Sequence, residues 1–575
     1  MTRSISSNAS RSANPDYLRD VRVIRNVPVR MRDGVELATT VVLPRAEGKY
    51  PAVLVRTAYA RGGADVSFAQ RGLALVTQDC RGRYASGGNF RPWVNEPNDG
   101  CDTLDWIGAQ PWSNGKVGMF GDSYLGGTQF AVATSGNRHL TALNPRFIMG
   151  DSWINAFYNH GVLSLALTFS WMVMEIGSRT AEANLLPLFN IDGLLRQLPL
   201  MTLDEKVGLP VPYYRECLTH YTRDAFWQEI AWRDTMDKAT APMLLTAGWY
   251  DYYPRETFLN YAQLQKGKNK KLRQSHRVLV GPWTHGISGL TKLGQLDYGR
   301  EALHEDGSTM RWLECMLKRG DASQFQKAPI RIFVMGANRW RDEYEWPLAR
   351  TRFTKFYLHS KGGANSLLGN GTLTHQAPAR EPSDRYAYDP ASPVPTLGGN
   401  HSVGPYNPGL YELALPGPYD QQPVERRDDV LVYTSPVLEE DLEVTGPVVV
   451  RLFAASSARD TDFVARLSDV HPNGRAFNIT EGVIRARYRT GDWIKPTLLE
   501  PGRVCEYTIS LQDTSNVFLK GHRLRLDITS SNFPLWDRNL NTGEHPNLGT
   551  RLEVAQQTIF HDRTRASHIL LPVIP

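Results

Sequence analysis

Between residues 21 and 44 apolar and polar positions alternate about Asp33-Gly34, which predicts a β-hairpin. The pattern then changes to short continuous apolar runs at residues 51–57, 73–79 and 117–120, the kind a buried strand gives. Helix-compatible stretches lie between them, at 64–71 and 98–109. The second has Cys101, Leu104, Ile107 and Gly108 at helical spacing and Asp99, Asp102 and Asp105 in its first two turns. Strands alternating with helices predict a parallel sheet covered on both faces.

The alternation breaks near Pro145. Residues 146–241 are long, aromatic and largely helical in periodicity, without clear strands. The α/β pattern then resumes: strand 242–247, helix 256–265, strand 277–280, helix 308–318, strand 329–334. An inserted helical segment inside such a pattern reads as a cap over an active site. After about Arg350 short β-rich runs recur, at 430–433, 446–454, 463–470, 483–488, 503–511 and 523–528, separated by Gly, Pro, Asn and Asp. They predict an all-β sandwich or jelly roll. The expected division is therefore a disordered lead-in over 1–20, an α/β core over 21–145 and 242–350, a cap over 146–241 and a β jelly roll over 351–575.

Composition narrows the classes. A chain of 575 residues is too long for one compact domain, and 41% hydrophobic with 22% charged residues is an ordinary globular balance. The net charge is +6, but the densest basic cluster, residues 266–273, reads as a solvated loop, so no nucleic-acid partner is expected. Five scattered cysteines without Cys-x-x-Cys spacing suggest reduced thiols. No His-Glu-x-x-His or clustered Cys/His spacing occurs, so neither a metal nor a cofactor is expected. The first twenty residues have no apolar secretory core, and the most apolar run, 162–173, is too short to span a bilayer. The expectation is a soluble, cytoplasmic protein with no membrane partner; a homodimer through the jelly roll stays open.

The candidate chemistry centres on residues 116–128, where an apolar run ends in Gly121-Asp122-Ser123 and small residues lead into an amphipathic segment. That is the pattern of a nucleophile elbow: strand, sharp turn, helix, with the serine at the apex. A bare Gly-x-Ser occurs often by chance, and the glycine usual at the fifth position is displaced to Gly126 by Leu125. Partners are therefore required. A nucleophilic serine needs a base and an acid that orients it, in the chain order Ser, Asp, His on loops after later strands. Asp251 ends the strand at 242–247, and His285 follows the strand at 277–280. Each alone reads as a loop residue or helix cap; three in order at strand ends make the joint reading stronger. The Tyr124 N–H, next after the nucleophile, is a candidate oxyanion donor. The phenol of Tyr59, after the strand at 51–57, is either a second donor or a rim aromatic.

Longer motifs carry a resemblance. Gln78-Asp79-Cys-Arg81-Gly82 with Ser86 and Gly88, Asp102 to Ile107, Gly118 to Gly126, Ala247-Gly-Trp-Tyr-Asp251 and Gly281-Pro-Trp-Thr-His285 occur in this order. So do Gly474 to Gly482 and Ser531 to Asn539. Together they resemble the cocaine esterase / X-Pro dipeptidyl-peptidase (CocE/NonD) family of α/β-hydrolases, nearly end to end, and the shifted glycine is typical of that group. The resemblance implies a Ser123–Asp251–His285 triad, an oxyanion hole of Tyr59 and the Tyr124 N–H, and an α/β-hydrolase core with a helical cap and C-terminal jelly roll. It also implies that Phe157 or Tyr158, with Trp171 and Tyr253, lie where an aromatic acyl group is held. Members that bind an α-amino group carry carboxylates just after the triad aspartate. Here Tyr252, Tyr253, Pro254 and Arg255 follow it.

The expectation is a serine carboxylesterase for apolar or aromatic acyl esters, acting through an acyl-enzyme on a small-molecule ester or amide. The alternatives are an amidase, acylase or X-Pro peptidase with the same triad, and a non-catalytic protein whose jelly roll binds carbohydrate.

Overall fold

The hairpin forms where the alternation places it. In a computed structural model, β1 (Val21–Arg30) and β2 (Glu36–Pro44) pair antiparallel, and Gly34 turns the chain at φ +87°. The structure describes residues 20–62, 65–182, 185, 188–303, 308–401 and 415–575, so nearly all of the expected lead-in lies outside the described residues.

The apolar runs become the inner strands. They are β3 (Tyr50–Thr57), β4 (Ala74–Asp79), β5 (Ser113–Asp122) and β6 (Leu140–Arg146), with α1 (Val66–Gln70), α2 (Glu96–Gly108) and α3 (Tyr124–Val132) between them. A two-residue hairpin, β7 (Tyr158–Asn159) with β8 (Val162–Leu163), follows. The sheet resumes at β9 (Leu244–Gly248) and β10 (Arg277–Gly281). The small ribbon β11 (Lys292–Leu293) with β12 (Leu296–Asp297) precedes β13 (Ile330–Val334) and β14 (Arg339–Glu343). The large sheet has the order β1-β2-β4-β3-β5-β6-β9-β10-β13-β14. It is parallel from β4 to β13 and antiparallel at its β2 and β14 flanks. β9 and β10 are buried at every residue, which is why they read as continuous apolar runs and not as alternation.

The chain between β6 and β9 folds over the carboxyl edge of this sheet. Its helices are short, four to eight residues in Leu165–Phe169, Ile191–Leu195, Leu203–Lys206, Pro212–Thr219 and Ala225–Gln228. Leu165–Phe169 continues as a π-helix, Ser170–Glu175. The β7–β8 hairpin is a departure from the helical periodicity. Two residues per strand are too few to leave an alternating signature.

The C-terminal part is the expected all-β domain, a fourteen-stranded sheet whose strands run from Arg352–His359 to His568–Ile574. Ala476–Arg485 is buried throughout although it carries Asn478, Thr480, Glu481 and Arg485. Ion pairs explain this: Arg466 to Glu481 at 3.3 Å and Arg485 to Asp462 and Asp537, both at 2.9 Å. A strand whose buried charges are paired escapes a reading based on hydropathy. Among the described residues no helix is long and apolar enough to cross a membrane.

This β domain grips the core at the loops after β9 and β10. Tyr250 donates its hydroxyl to the Asn478 carbonyl at 3.1 Å, and Asn400 donates to the Trp249 carbonyl. Thr284 donates to the His401 carbonyl at 2.7 Å. These bonds fall on residues adjoining Asp251 and His285.

Candidate active site

Ser123 closes β5 and opens α3 with φ +55° and ψ −120°, a conformation a side chain adopts only when its surroundings impose it. The glycines around it are forced by contact. A Cβ on Gly121 would meet Leu125 Cβ at 2.3 Å, and one on Gly127 would meet the Trp93 indole nitrogen at 2.3 Å. A Cβ on Gly126 would stand 2.9 Å from Ile148. Helix α3 therefore packs too close to its neighbours for side chains there, and the turn is held sharp. As the first residue of α3, Tyr124 has an N–H without an intrahelical acceptor. Its ring is anchored below: the hydroxyl donates to Glu96 Oε1 at 2.9 Å, and the Trp93 indole donates to its carbonyl at 3.2 Å.

His285 and Asp251 meet across the ends of β10 and β9. Imidazole Nδ1 lies 2.8 Å from Asp251 Oδ1, which also accepts the Tyr252 N–H at 2.7 Å. Asp251 is fully buried, and the ring is flanked by Phe147, Tyr252 and Tyr253 at 6.1, 5.9 and 5.6 Å between centroids. Occupying Nδ1 leaves Nε2 as the free ring nitrogen. A Cβ at Gly248 would strike the Trp283 carbonyl at 2.2 Å, so the two loops approach as closely as a glycine allows.

Ser123 and His285 line one cavity of about 390 Å³, together with Tyr59, Trp93, Phe157, Trp171, Glu175 and Tyr253 among others. The Tyr59 hydroxyl accepts the Trp171 indole N–H at 2.7 Å and is hydrogen-bonded to the Ser123 side chain. Burial, then the nearby Glu175 carboxylate, push the phenol pKa well up, so it stays a protonated donor. Ala60, next in the chain, is held at φ +77°. Arg83 fixes the floor of this region. Its buried guanidinium donates to the carbonyls of Ala58 at 2.8 Å, Glu175 at 2.8 Å and Ile176 at 3.1 Å, tying the Tyr59 loop to the cap.

Of the nine residues singled out from the sequence, the structure brings Tyr59, Ser123, Phe157, Trp171, Tyr253, Asp251 and His285 to one place, with the Tyr124 N–H beside the serine. Tyr158 is the correction. It lies outside the cavity in the cap core, its hydroxyl donating to the Cys217 carbonyl at 3.3 Å and accepting from Asn547 at 2.9 Å. Trp93, Tyr84 and Glu175 were missed. Trp93 stacks on Tyr124 and Trp171 at 5.0 and 5.3 Å and forms much of the apolar wall. The only signal for Glu175 is an acid closing an otherwise apolar helical run.

A serine at a positive-φ strand–helix apex that shares a cavity with a carboxylate-paired histidine, both at strand ends of a largely parallel sheet, is the arrangement that α/β-hydrolases use. Comparison with known proteins places the chain within that class. Residues 33–287 match the family model of the X-Pro dipeptidyl-peptidase (S15 family), and residues 324–570 match that of the X-Pro dipeptidyl-peptidase C-terminal non-catalytic domain. The chain is 38% identical to a cocaine esterase of Rhodococcus sp. (strain MB1 Bresler), over 96% of this chain and 98% of that one. Among solved structures, an aminopeptidase from a marine sediment archaeon, Thaumarchaeota archaeon, superposes with a TM-score of 0.84 at 25% identity over the whole of both chains. An α-amino acid ester hydrolase does so with 0.82 at 25%, over 100% of this chain and 99% of that one. The chain belongs to the cocaine esterase / X-Pro dipeptidyl-peptidase family of α/β-hydrolases.

Proposed function

We propose that this protein is a serine carboxylesterase for esters of apolar or aromatic acids, acting through an acyl-enzyme. The observation that carries the reading is Ser123 at its strained apex, opening onto an aromatic cavity that also presents the Asp251-paired His285 and the Tyr59 hydroxyl.

The Ser123 oxygen attacks the ester carbonyl carbon while His285 Nε2 takes its proton, and Asp251 holds the imidazolium that forms. Charge moves to the carbonyl oxygen, where the Tyr59 hydroxyl and Tyr124 N–H donate to it. Collapse breaks the bond to the alcohol, which leaves with the proton from His285. Water then enters, its oxygen attacks the acyl carbon as one of its protons passes to the same nitrogen, and His285 returns that proton to the Ser123 oxygen as the acid leaves. Trp93, Phe157, Trp171 and Tyr253 make the walls suited to an apolar acyl group.

One observation favours a second reading, an amino-acyl ester or amide as substrate. Glu175 lines the cavity from the cap, although the residues after Asp251 supply no carboxylate. A carboxylate on that wall would hold a cationic nitrogen, and two of the solved structures that the chain resembles are an aminopeptidase and an α-amino acid ester hydrolase.

The test is hydrolysis of a p-nitrophenyl butyrate, a phenylacetyl ester, an α-amino ester and an X-Pro anilide by wild type, Ser123→Ala and Glu175→Gln. Turnover of the plain esters by wild type and Glu175→Gln, but not by Ser123→Ala, supports the esterase reading. Turnover confined to the amino-acyl or X-Pro substrates, and lost in Glu175→Gln, replaces it with the second.

A further inference from the structure

Outside the lining of that cavity, the β domain gathers a second set of chemically capable side chains. Strand Asp462–Val470 pairs antiparallel with Arg523–Thr529, and the register sets Val470 opposite Arg523 and Asp469 opposite Leu524. Continuing that register by one step sets His471 opposite His522. The two rings do meet there, 4.4 Å apart between centroids. Asp469 and His471, two residues apart, project from the same face of their strand. His522 Nδ1 lies 2.8 Å from Asp469 Oδ1, and His471 Nε2 lies 3.8 Å from Asp469 Oδ2. The turns beside the pair are pinned, with His471 N–H donating to the Arg475 carbonyl at 2.9 Å and the Gly474 N–H to the His471 carbonyl at 2.8 Å.

From each of these residues one ligand atom can be chosen so that all three lie within 4.8 Å of one another. Around a common ion at about 2.0–2.2 Å from each, such atoms need only modest side-chain rotation to reach ligand spacing. Two imidazoles and one carboxylate suit a borderline divalent ion such as zinc, not the all-oxygen shells of calcium or magnesium. His471 also lines an open cavity of about 480 Å³, which leaves room for water ligands on its side of the cluster. Asp469 and His522 are largely buried whereas the His471 side chain is 29% exposed, which gives the ion an entry side. Arg475 stands nearby but is itself engaged, 3.5 Å from Asp420.

We infer that Asp469, His471 and His522 form a binding site for a divalent ion of the zinc type, with two imidazole ligands, one carboxylate and water completing the shell. The ordinary alternative is that Asp469 and His522 are only a hydrogen-bonded pair pinning two strand ends, with His471 stacked on them. Sequence spacing did not expose the site, because antiparallel pairing and not a local motif brings the ligands together.

The test is equilibrium dialysis of the full chain against zinc chloride, with wild type, His471→Ala and His471→Gln. The expected result is about one zinc per wild-type chain, with affinity at least tenfold weaker in both variants. Zinc should also raise the thermal midpoint of the wild type and not of the variants. Ester hydrolysis should be the same in all three, since none of these residues lines the Ser123 cavity. His471 is partly exposed and carries no strand pairing in its side chain, so its variants retain the fold; an unchanged circular dichroism spectrum checks this. Zinc binding of equal stoichiometry and affinity in wild type and variants, or no wild-type binding at 1 mM zinc, overturns the inference.

Discussion

Ser123, Asp251 and His285 have a counterpart in the β domain: Ser360, Asp384 and His561, the same residue types in the same chain order. In the first set the carboxylate touches the imidazole and not the serine. Asp251 occupies His285 Nδ1, and Ser123 turns toward Tyr59 in a cavity. In the second set the carboxylate reaches everything. Ser360 lies 2.7 and 2.8 Å from the two Asp384 oxygens, His561 Nε2 is 2.8 Å from Oδ2, and the Ala364 N–H and Tyr433 hydroxyl donate to it as well. His561 and Asp384 are fully buried and Ser360 is 7% exposed. His561 Nε2 also lies 3.2 Å from Ser360 Oγ, but the serine has both carboxylate oxygens nearer, and a sealed cluster admits no substrate. The proposed function makes a nucleophile of the serine whose neighbouring imidazole and acid are paired beside a cavity, and the buried set, whose acid gathers both partners, is a structural pin.

The largest expected effect separates the two serines. Ser123→Ala should lower kcat for its best ester by roughly 10⁴–10⁶-fold, the range seen when a nucleophile is removed from such a unit. Ser360→Ala should leave kcat within about twofold while costing about 1–3 kcal/mol of stability, since Asp384 loses one of its buried donors. Steady-state kinetics and denaturant melts on both variants check this. Equal loss of activity in Ser360→Ala with an unchanged melt would break the comparison.

The two tyrosines sharpen it. Tyr59→Phe removes a proposed oxyanion donor and should cost about 10²–10³ in kcat with little change in KM. Tyr433→Phe removes a donor to Asp384 and should leave kcat unchanged while lowering the melting midpoint. A Tyr59→Phe enzyme whose KM rises at constant kcat would instead make Tyr59 a wall of the acyl pocket.

Chain order alone could not have told these clusters apart, since both run Ser, Asp, His. Strand grammar did most of the sorting. Buried parallel strands leave continuous apolar runs, so β3, β4, β9 and β10 and the loops after them were legible, and with them Asp251 and His285. The cap was less so. Phe157 and Tyr158 are neighbours at the start of β7, so their side chains leave on opposite faces, and only tertiary packing decides which one meets the cavity. Trp93 sits at φ +60° in a loop, placed by rings from α3 and the cap that are distant in sequence. No local pattern encodes that. In the β domain, Asp384–Tyr388 went unread because its buried faces include a charge neutralised by partners from three other segments.

The smallest expected effect is a pH signature that belongs to the pin alone. The Asp384 carboxyl is held below its usual range by its donors, the His561 imidazole foremost, against the opposing cost of burial. The His561 imidazole is raised by Asp384 and by Glu381, whose Oε2 lies 3.3 Å from Nδ1, again against burial. His359, 2.7 Å from Glu381, and Tyr433 are the other titratable groups facing the cluster. A depressed carboxyl gives stability that is present above its unfolded pKa of about 3.9 and lost as pH falls through the folded value. A raised imidazole gives stability that is complete below about 6.5 and lost as pH rises through the folded value. The contribution of the pair is therefore greatest between about pH 4 and 6.5 and fades on either side. His561→Gln keeps a hydrogen-bonding side chain but cannot carry the charge. The gap in thermal midpoint between wild type and this variant, at matched scan rate, should be widest in that window and narrower at pH 9. Hydrolysis by the variant should follow the wild-type pH profile throughout, because the imidazole proposed to serve Ser123 is His285. A variant whose kcat profile shifted while its melting gap stayed flat would place the working histidine in the β domain.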